Sequence, residues 1–202
     1  MSPLGPFSQQ DILAYYHCAE FFKHRNQEQQ VLEKEDLLVY METIKQWANK
    51  SHGSDEANFI GGDDEDSSVA LYSSSLNIFI SSFAVRSVNG TVEAIFFSRK
   101  IPEKIRDNHL LIACIAIIAL IDIGLQSKRV WLTNGENHLP IEPPEVNFEI
   151  VRRIASMMGE GAYQVKTGRK CDFCPIKDIC EVYSEVERVL AACARGPAFF
   201  TL

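Results

Sequence analysis

The sequence predicts a mixed α/β fold, and three observations predict it. Segments with apolar residues three or four apart flank a central region rich in Val, Ile and Phe. An Asn-Gly pair, Asn89-Gly90, joins two apolar stretches of that region and is a strong hairpin signal. The run LLIACIAIIALIDIGL, Leu110 to Leu125, is cut by Asp122 and falls short of the roughly 18 to 20 residues a bilayer span needs, so it reads as a buried core helix. Chain length, 202 residues with 46% hydrophobic and 23% charged, suits one substantial core. The reading is a single domain, residues 1–202, with an N-terminal helical part (1–50), a sheet core (69–142) and a C-terminal cysteine module (160–202).

The elements follow in order. Ser8 and Asp11 offer a capping box, with Phe7 before it as a staple, for a helix running to about Phe22 and carrying Cys18. A second helix is expected over about Gln27 to Asn49, where Leu32, Leu37, Leu38, Met41, Ile44 and Trp47 recur at helical spacing. The stretch DEANFIGGDDED reads as a solvated loop, its glycine pair and flanking serines being linker chemistry. Three strands follow, in VALYSSSLNIFISSFAV and TVEAIFFS. A long helix over Glu103 to Gly124 closes at the glycine. RVWLTN and NHLPIE read as a strand pair, and Pro143-Pro144 introduce a helix over about Glu145 to Met158. A glycine-containing loop then delivers the chain to CDFCPIKDIC and a last helix, about Lys177 to Ala194.

Charge and targeting narrow the function classes. The net charge of -7 would oppose a polyanionic partner if evenly spread, but six acids (Asp55, Glu56, Asp63, Asp64, Glu65 and Asp66) lie in the one loop and leave -1 elsewhere. The N-terminus has neither a basic n-region nor an apolar h-region, so the expectation is no signal peptide, no membrane and a cytoplasmic location. In a reducing compartment, clustered cysteines favour metal or redox chemistry over disulfides.

Cys171, Cys174 and Cys180 have C-x2-C-x5-C spacing, one ligand short of a tetrahedral thiolate site. Iron-sulfur clusters and structural zinc both accept such ligands. Candidates for the fourth are Cys18, Cys114 and Cys193. Cys114 lies in the apolar helix, where cysteine behaves as a small hydrophobe. Cys193 is thirteen residues past Cys180, about 20 Å along a straight helix at ~1.5 Å per residue. Cys18 remains, and as a ligand it would tie the two ends of the chain together.

The elements SxxDILAYYHCAEFF near the start and GEGAYQVKTGRKCDFCPIKDIC near the end resemble the RecB-like nucleases of the PD-(D/E)XK superfamily that carry a four-cysteine [4Fe-4S] cluster. The likeness is greatest to the small CRISPR-associated exonucleases of the spacer-acquisition machinery, an antiviral defence system. The resemblance covers nearly the whole chain and is specific at both ends. It implies a restriction-endonuclease-like mixed sheet flanked by helices, with Cys18, Cys171, Cys174 and Cys180 holding the cluster.

That family hydrolyses DNA with carboxylates that hold Mg²⁺ or Mn²⁺ beside a lysine. Its Gly-x-x-Asp slot falls on SFAV, so the aspartate position is Val85; its Asp/Glu-x-Lys slot falls on SRK, leaving Ser98 and Lys100; its Gln and Tyr helix positions fall on Ile112 and Ala116. Hard cations need oxygen ligands, so the resemblance implies a catalytically degenerate member with no nuclease centre and Lys100 as a remnant. Glu93 and Asp107 are the acids a shifted alignment could recruit, and His24 or His52 could stand for the histidine that many members of the family carry upstream; Glu93 is expected to face solvent.

The expected role is then DNA binding or complex formation linked to CRISPR adaptation. The basic residues Lys23, Arg25, Arg152, Arg153, Lys166, Arg169 and Lys170, with His24 and Lys177, would contact single-stranded DNA or duplex ends. Tyr163 and Phe173 would stack on bases or shield the cluster. Two alternatives stand beside it: an active Mg- or Mn-dependent DNA exonuclease, and a zinc-stapled adaptor.

Overall fold

The computed structural model describes residues 6–18, 34–50, 58–61 and 68–161, with the single positions 171, 174 and 180. Within them the chain forms β1 (Phe7–Ser8), α1 (Gln9–His17), α2 (Lys34–Lys50), β2 (Asn58–Gly61), β3 (Val69–Ser73), β4 (Ile78–Ser82), β5 (Ala84–Val88), β6 (Thr91–Phe97), α3 (Asp107–Asp122), β7 (Val130–Thr133), β8 (His138–Ile141) and α4 (Glu145–Gly159). The architecture is mixed α/β. One sheet has the order β1-β4-β3 and the other β2-β5-β6-β7-β8. Each contains one parallel pair, β1 with β4 and β6 with β7, among antiparallel neighbours.

α3 explains why its sequence lacks an amphipathic stripe. It is the crossover between the parallel strands β6 and β7, and it packs against strands of both sheets, α4 and α1. Leu111 and every residue from Ala113 to Leu120 are buried. A helix apolar all round is stable only when covered all round. It ends in a Schellman motif: Gly124, at φ +85°, donates to the Ile121 carbonyl (2.8 Å) and Leu125 to the Leu120 carbonyl (3.1 Å). Among the described residues no helix is long and apolar enough to cross a membrane.

Several expectations are corrected in detail. The Ser8 capping box is present, with Ser8 N–H and hydroxyl both donating to Asp11 (2.7 Å). The helix stops at His17, so Cys18 is its C-cap in extended conformation (φ -166°) and not a helical residue. α2 buries Leu37, Met41, Ile44 and Ala48; Leu38 lies off that stripe and is exposed. The long stretch before the hairpin is three strands rather than two, because a turn at 74–77 reverses the chain and Phe83 breaks β4 from β5. α3 begins at Asp107, four residues later than expected.

The acidic loop hides a strand. Asn58–Gly61 pairs antiparallel with β5, and Gly61 stands at φ +82°, where an added Cβ would come within 2.5 Å of Val69 Cγ2. Glycine is there for close approach, not for linker flexibility. The Asn89-Gly90 hairpin forms as expected, both residues with positive φ (50° and 74°), as a type I′ turn requires. The expected helix over 177–194 lies outside the described residues except for Cys180, which is not helical.

Candidate functional site

The hairpin and α3 carry the four positions, Val85, Ser98, Ile112 and Ala116, that the sequence resemblance aligns with a metal-dependent nuclease's motifs. Val85 is fully buried on the core face of β5, opposite Ala94. Ser98 follows the end of β6; its N–H donates to the Thr133 carbonyl (2.8 Å) and its hydroxyl to the Lys100 carbonyl (2.9 Å). Ser98 is thus four residues along the strand from Val85's partner, on the order of 13 Å away. The two slots do not face each other. Lys100 is exposed, Ile112 half-buried and Ala116 buried.

Ser98 and Ile112 do share a cavity of about 520 Å³ with Ser82, Asn108 and His109. Its polar lining consists of hydroxyls, amides and an imidazole; among the described residues no carboxylate lines it. Gln9 reaches the same cavity, and its buried Oε1 has no hydrogen-bond partner among the described residues. His109 Nδ1 accepts from the Arg106 N–H (3.2 Å), and burial followed by the Arg106 charge lowers its pKa. That imidazole is a neutral helix cap at neutral pH.

Glu93 overturns the expectation of a solvent-facing carboxylate. It is 1% exposed. Arg86, its direct cross-strand partner, donates from Nε (2.7 Å), with Nη2 at 2.6 Å, to Oε2. Arg129 Nε donates to Oε1, and Trp131 Nε1 to Oε2 (2.8 Å). The Arg86 guanidinium also lies 4.4 Å over the Trp131 ring centroid. Burial alone would raise the Glu93 pKa, but the hydrogen bonds from Arg129, Arg86 and Trp131 outweigh it and hold the carboxyl below its usual range. A carboxylate so enclosed has no coordination position to offer a cation. Asp107, the other acid considered, accepts from Tyr16 Oη (2.9 Å) at the start of α3.

The cysteine donors are of the right chemistry for a thiolate-bound cluster. Cys174 N–H donates to the Cys171 carbonyl (3.1 Å), and both cysteines are partly exposed. Cys18 and Cys180 are buried. Among the described residues no group of three or more Cys, His, Asp or Glu side chains is placed to hold a metal ion. Cys114 is a core residue of α3, its thiol pushed up to about 12, mainly by burial.

Of the basic residues, Arg152 and Arg153 are exposed on α4, with Arg152 Nη1 3.9 Å from Glu145 Oε1. Lys23, His24, Arg25, His52, Tyr163, Lys166, Arg169, Lys170, Phe173, Lys177 and Cys193 lie outside the described residues.

No family profile and no curated protein matches this chain. Among solved structures, the crystal structure of SSO0001 is similar at 13% sequence identity and a TM-score of 0.43, over 88% of this chain and 86% of that one.

Proposed function

We propose that the chain is an iron-sulfur protein of the RecB-like nuclease family, with a PD-(D/E)XK-type fold, that lacks nuclease activity and serves as a DNA-binding or complex-forming subunit linked to CRISPR adaptation. The observation that carries this reading is the chemistry at the catalytic slots. A valine in the core and a serine bonded to its own loop stand where the acids would be, two apolar residues stand at the helix's Gln and Tyr positions, and the hairpin's one carboxylate is engaged by two guanidinium groups and an indole. The hairpin, crossover helix and parallel strand from β5 to β7 agree with the fold. Cys171 and Cys174, with the buried Cys18 and Cys180, supply thiolates for a [4Fe-4S] cluster, whose contribution when bound is to clasp the two ends of the chain. DNA contact is assigned to the basic residues around that clasp, Arg152 and Arg153 among them.

Two measurements test this. Purified anaerobically, the protein is expected to be brown with iron at cluster stoichiometry, and Cys18→Ala is expected to lose the colour; a colourless protein carrying zinc would make it the zinc-stapled adaptor. With labelled single-stranded DNA and Mn²⁺ it is expected to bind in a salt-dependent way and leave the strand intact. Mn²⁺-dependent degradation would instead establish the exonuclease.

A further inference from the structure

The outer face of the five-stranded sheet, away from α3, holds a feature that the nuclease reading does not use. Side chains alternate along a strand, so Phe59 on β2, Arg86 on β5, Glu93, Ile95 and Phe97 on β6, Trp131 on β7 and His138 on β8 share this face. The register sets Phe59 opposite Arg86, Ile95 opposite Trp131, and Phe97 opposite Thr133, which is in turn opposite His138. Between them opens a cavity of about 690 Å³. Phe59 and Phe97 both line it and are 54% and 41% exposed. A single exposed phenylalanine needs no explanation, but two on the walls of one concavity, with Phe83 and Trp131 also lining it, mark a binding surface.

We infer that this cavity takes an unpaired nucleobase of single-stranded DNA, stacked on the Phe59 and Phe97 rings, an assignment that rests on the DNA-binding reading and adds a second contact site to it. The walls are aromatic rings, which favour a flat π-faced ligand. Arg86, Thr133 and His138 line the same cavity and add polar groups suited to a base edge. The site is also preorganised. Glu93 fixes both the Arg86 guanidinium and the Trp131 ring before any ligand arrives, which removes an ordering cost from binding. Duplex DNA keeps its bases stacked within the helix and cannot offer one.

The electrostatics distinguish this contact from phosphate tracking. Arg86 and Arg129 face Glu93, and Glu142 lies 3.7 Å from Arg129, so the formal charges of these groups cancel. Binding here depends on stacking and only weakly on salt, in contrast to the basic C-terminal residues.

The experiment is fluorescence anisotropy with labelled oligothymidylate and with a labelled duplex, on the wild-type chain and on Phe59→Ala/Phe97→Ala. Both rings are exposed, so the variant is expected to keep the wild-type circular dichroism spectrum. It is expected to bind oligothymidylate about ten-fold or more weakly, from the loss of two stacking surfaces, with the duplex affinity and the salt slope unchanged. Phe59→Tyr/Phe97→Tyr restores binding. A bromodeoxyuridine strand photocrosslinked to the wild-type protein labels the peptides that contain Phe59, Phe97 or Trp131. Equal affinities for wild type and the alanine variant, as a protein partner on this face would give, or crosslinks confined to other peptides, overturn the site while leaving the DNA-binding reading intact. A wild-type chain that binds neither strand nor duplex overturns both.

Discussion

Three donors surround the Glu93 carboxylate, and their combined effect fixes how stability should respond to pH. Glu93→Gln keeps the shape but removes the charge that Arg86 and Arg129 answer, a change expected to cost about 2–3 kcal/mol, within the range for hydrogen bonds to charged groups. The folded-state pKa is lowered, so the stabilisation is fully present above the unfolded value of about 4.3 and is lost as pH falls through the folded value. Urea midpoints of wild type and Glu93→Gln should therefore differ most above about pH 5 and converge as pH falls through the lowered folded value. A gap independent of pH would show that the carboxylate's charge is not what holds the network. The pairing was legible in the sequence. A two-residue Asn89-Gly90 turn makes Arg86 and Glu93 direct cross-strand partners, opposite charges on one face. What was not legible was burial, because it comes from Trp131 and Arg129 on a strand reached only after α3.

Elements announced themselves in the sequence in proportion to their independence from the rest of the chain. The hairpin, α3, the β7–β8 pair and α4 each carry a local signal: a turn residue, a sustained apolar run, a proline at the helix entrance. β2 has no such signal, since four residues between acidic runs are a strand only because β5 is there to pair with them. Gly61 shows the same dependence. Its Cβ-free backbone lies against Val69 and the Phe83 carbonyl, so Gly61→Ala is expected to destabilise the domain by about 1–3 kcal/mol through positive φ and contact together. Thermal melting checks this; an unchanged transition would mean that β2 can detach without consequence. Asp122 is a further example. Its position at the C-terminus of α3 is unfavourable for an acid, but it accepts from Ser73 Oγ (2.7 Å), Ser75 N–H (3.0 Å) and Ser75 Oγ (2.9 Å), fastening the turn between β3 and β4 to the helix. The candidate site divides likewise: the residue types at Val85, Ser98, Ile112 and Ala116 could be read from the sequence, whereas the cavity at the end of β6 and the aromatic face needed the strand register.

At the scale of the whole molecule, the chain's beginning is built into its middle. β1 is two residues long, yet it adds a parallel edge to β4, seventy-one positions away, with Phe7 opposite Ile78 and its N–H donating to the Asn77 carbonyl (2.9 Å). Phe7 belongs to the same core cluster as α2, α3 and both sheets. Phe7→Ala is thus expected to lower global stability by about 3 kcal/mol, with fluorescence and far-UV circular dichroism following one shared urea transition. Separate transitions would divide the domain in two. The Arg86–Glu93 rung has a different consequence for the molecule, one of error rejection. Strand pairings that differ by one residue exchange the two faces of a sheet. A slip of β6 alone would turn Glu93 from its guanidinium partners toward α3, whose buried residues are apolar and offer a carboxylate no strong donor. Misregistered hairpins are thereby penalised when the crossover helix packs over them, and the Arg86–Glu93 charge pair serves as the chain's proofreading mark.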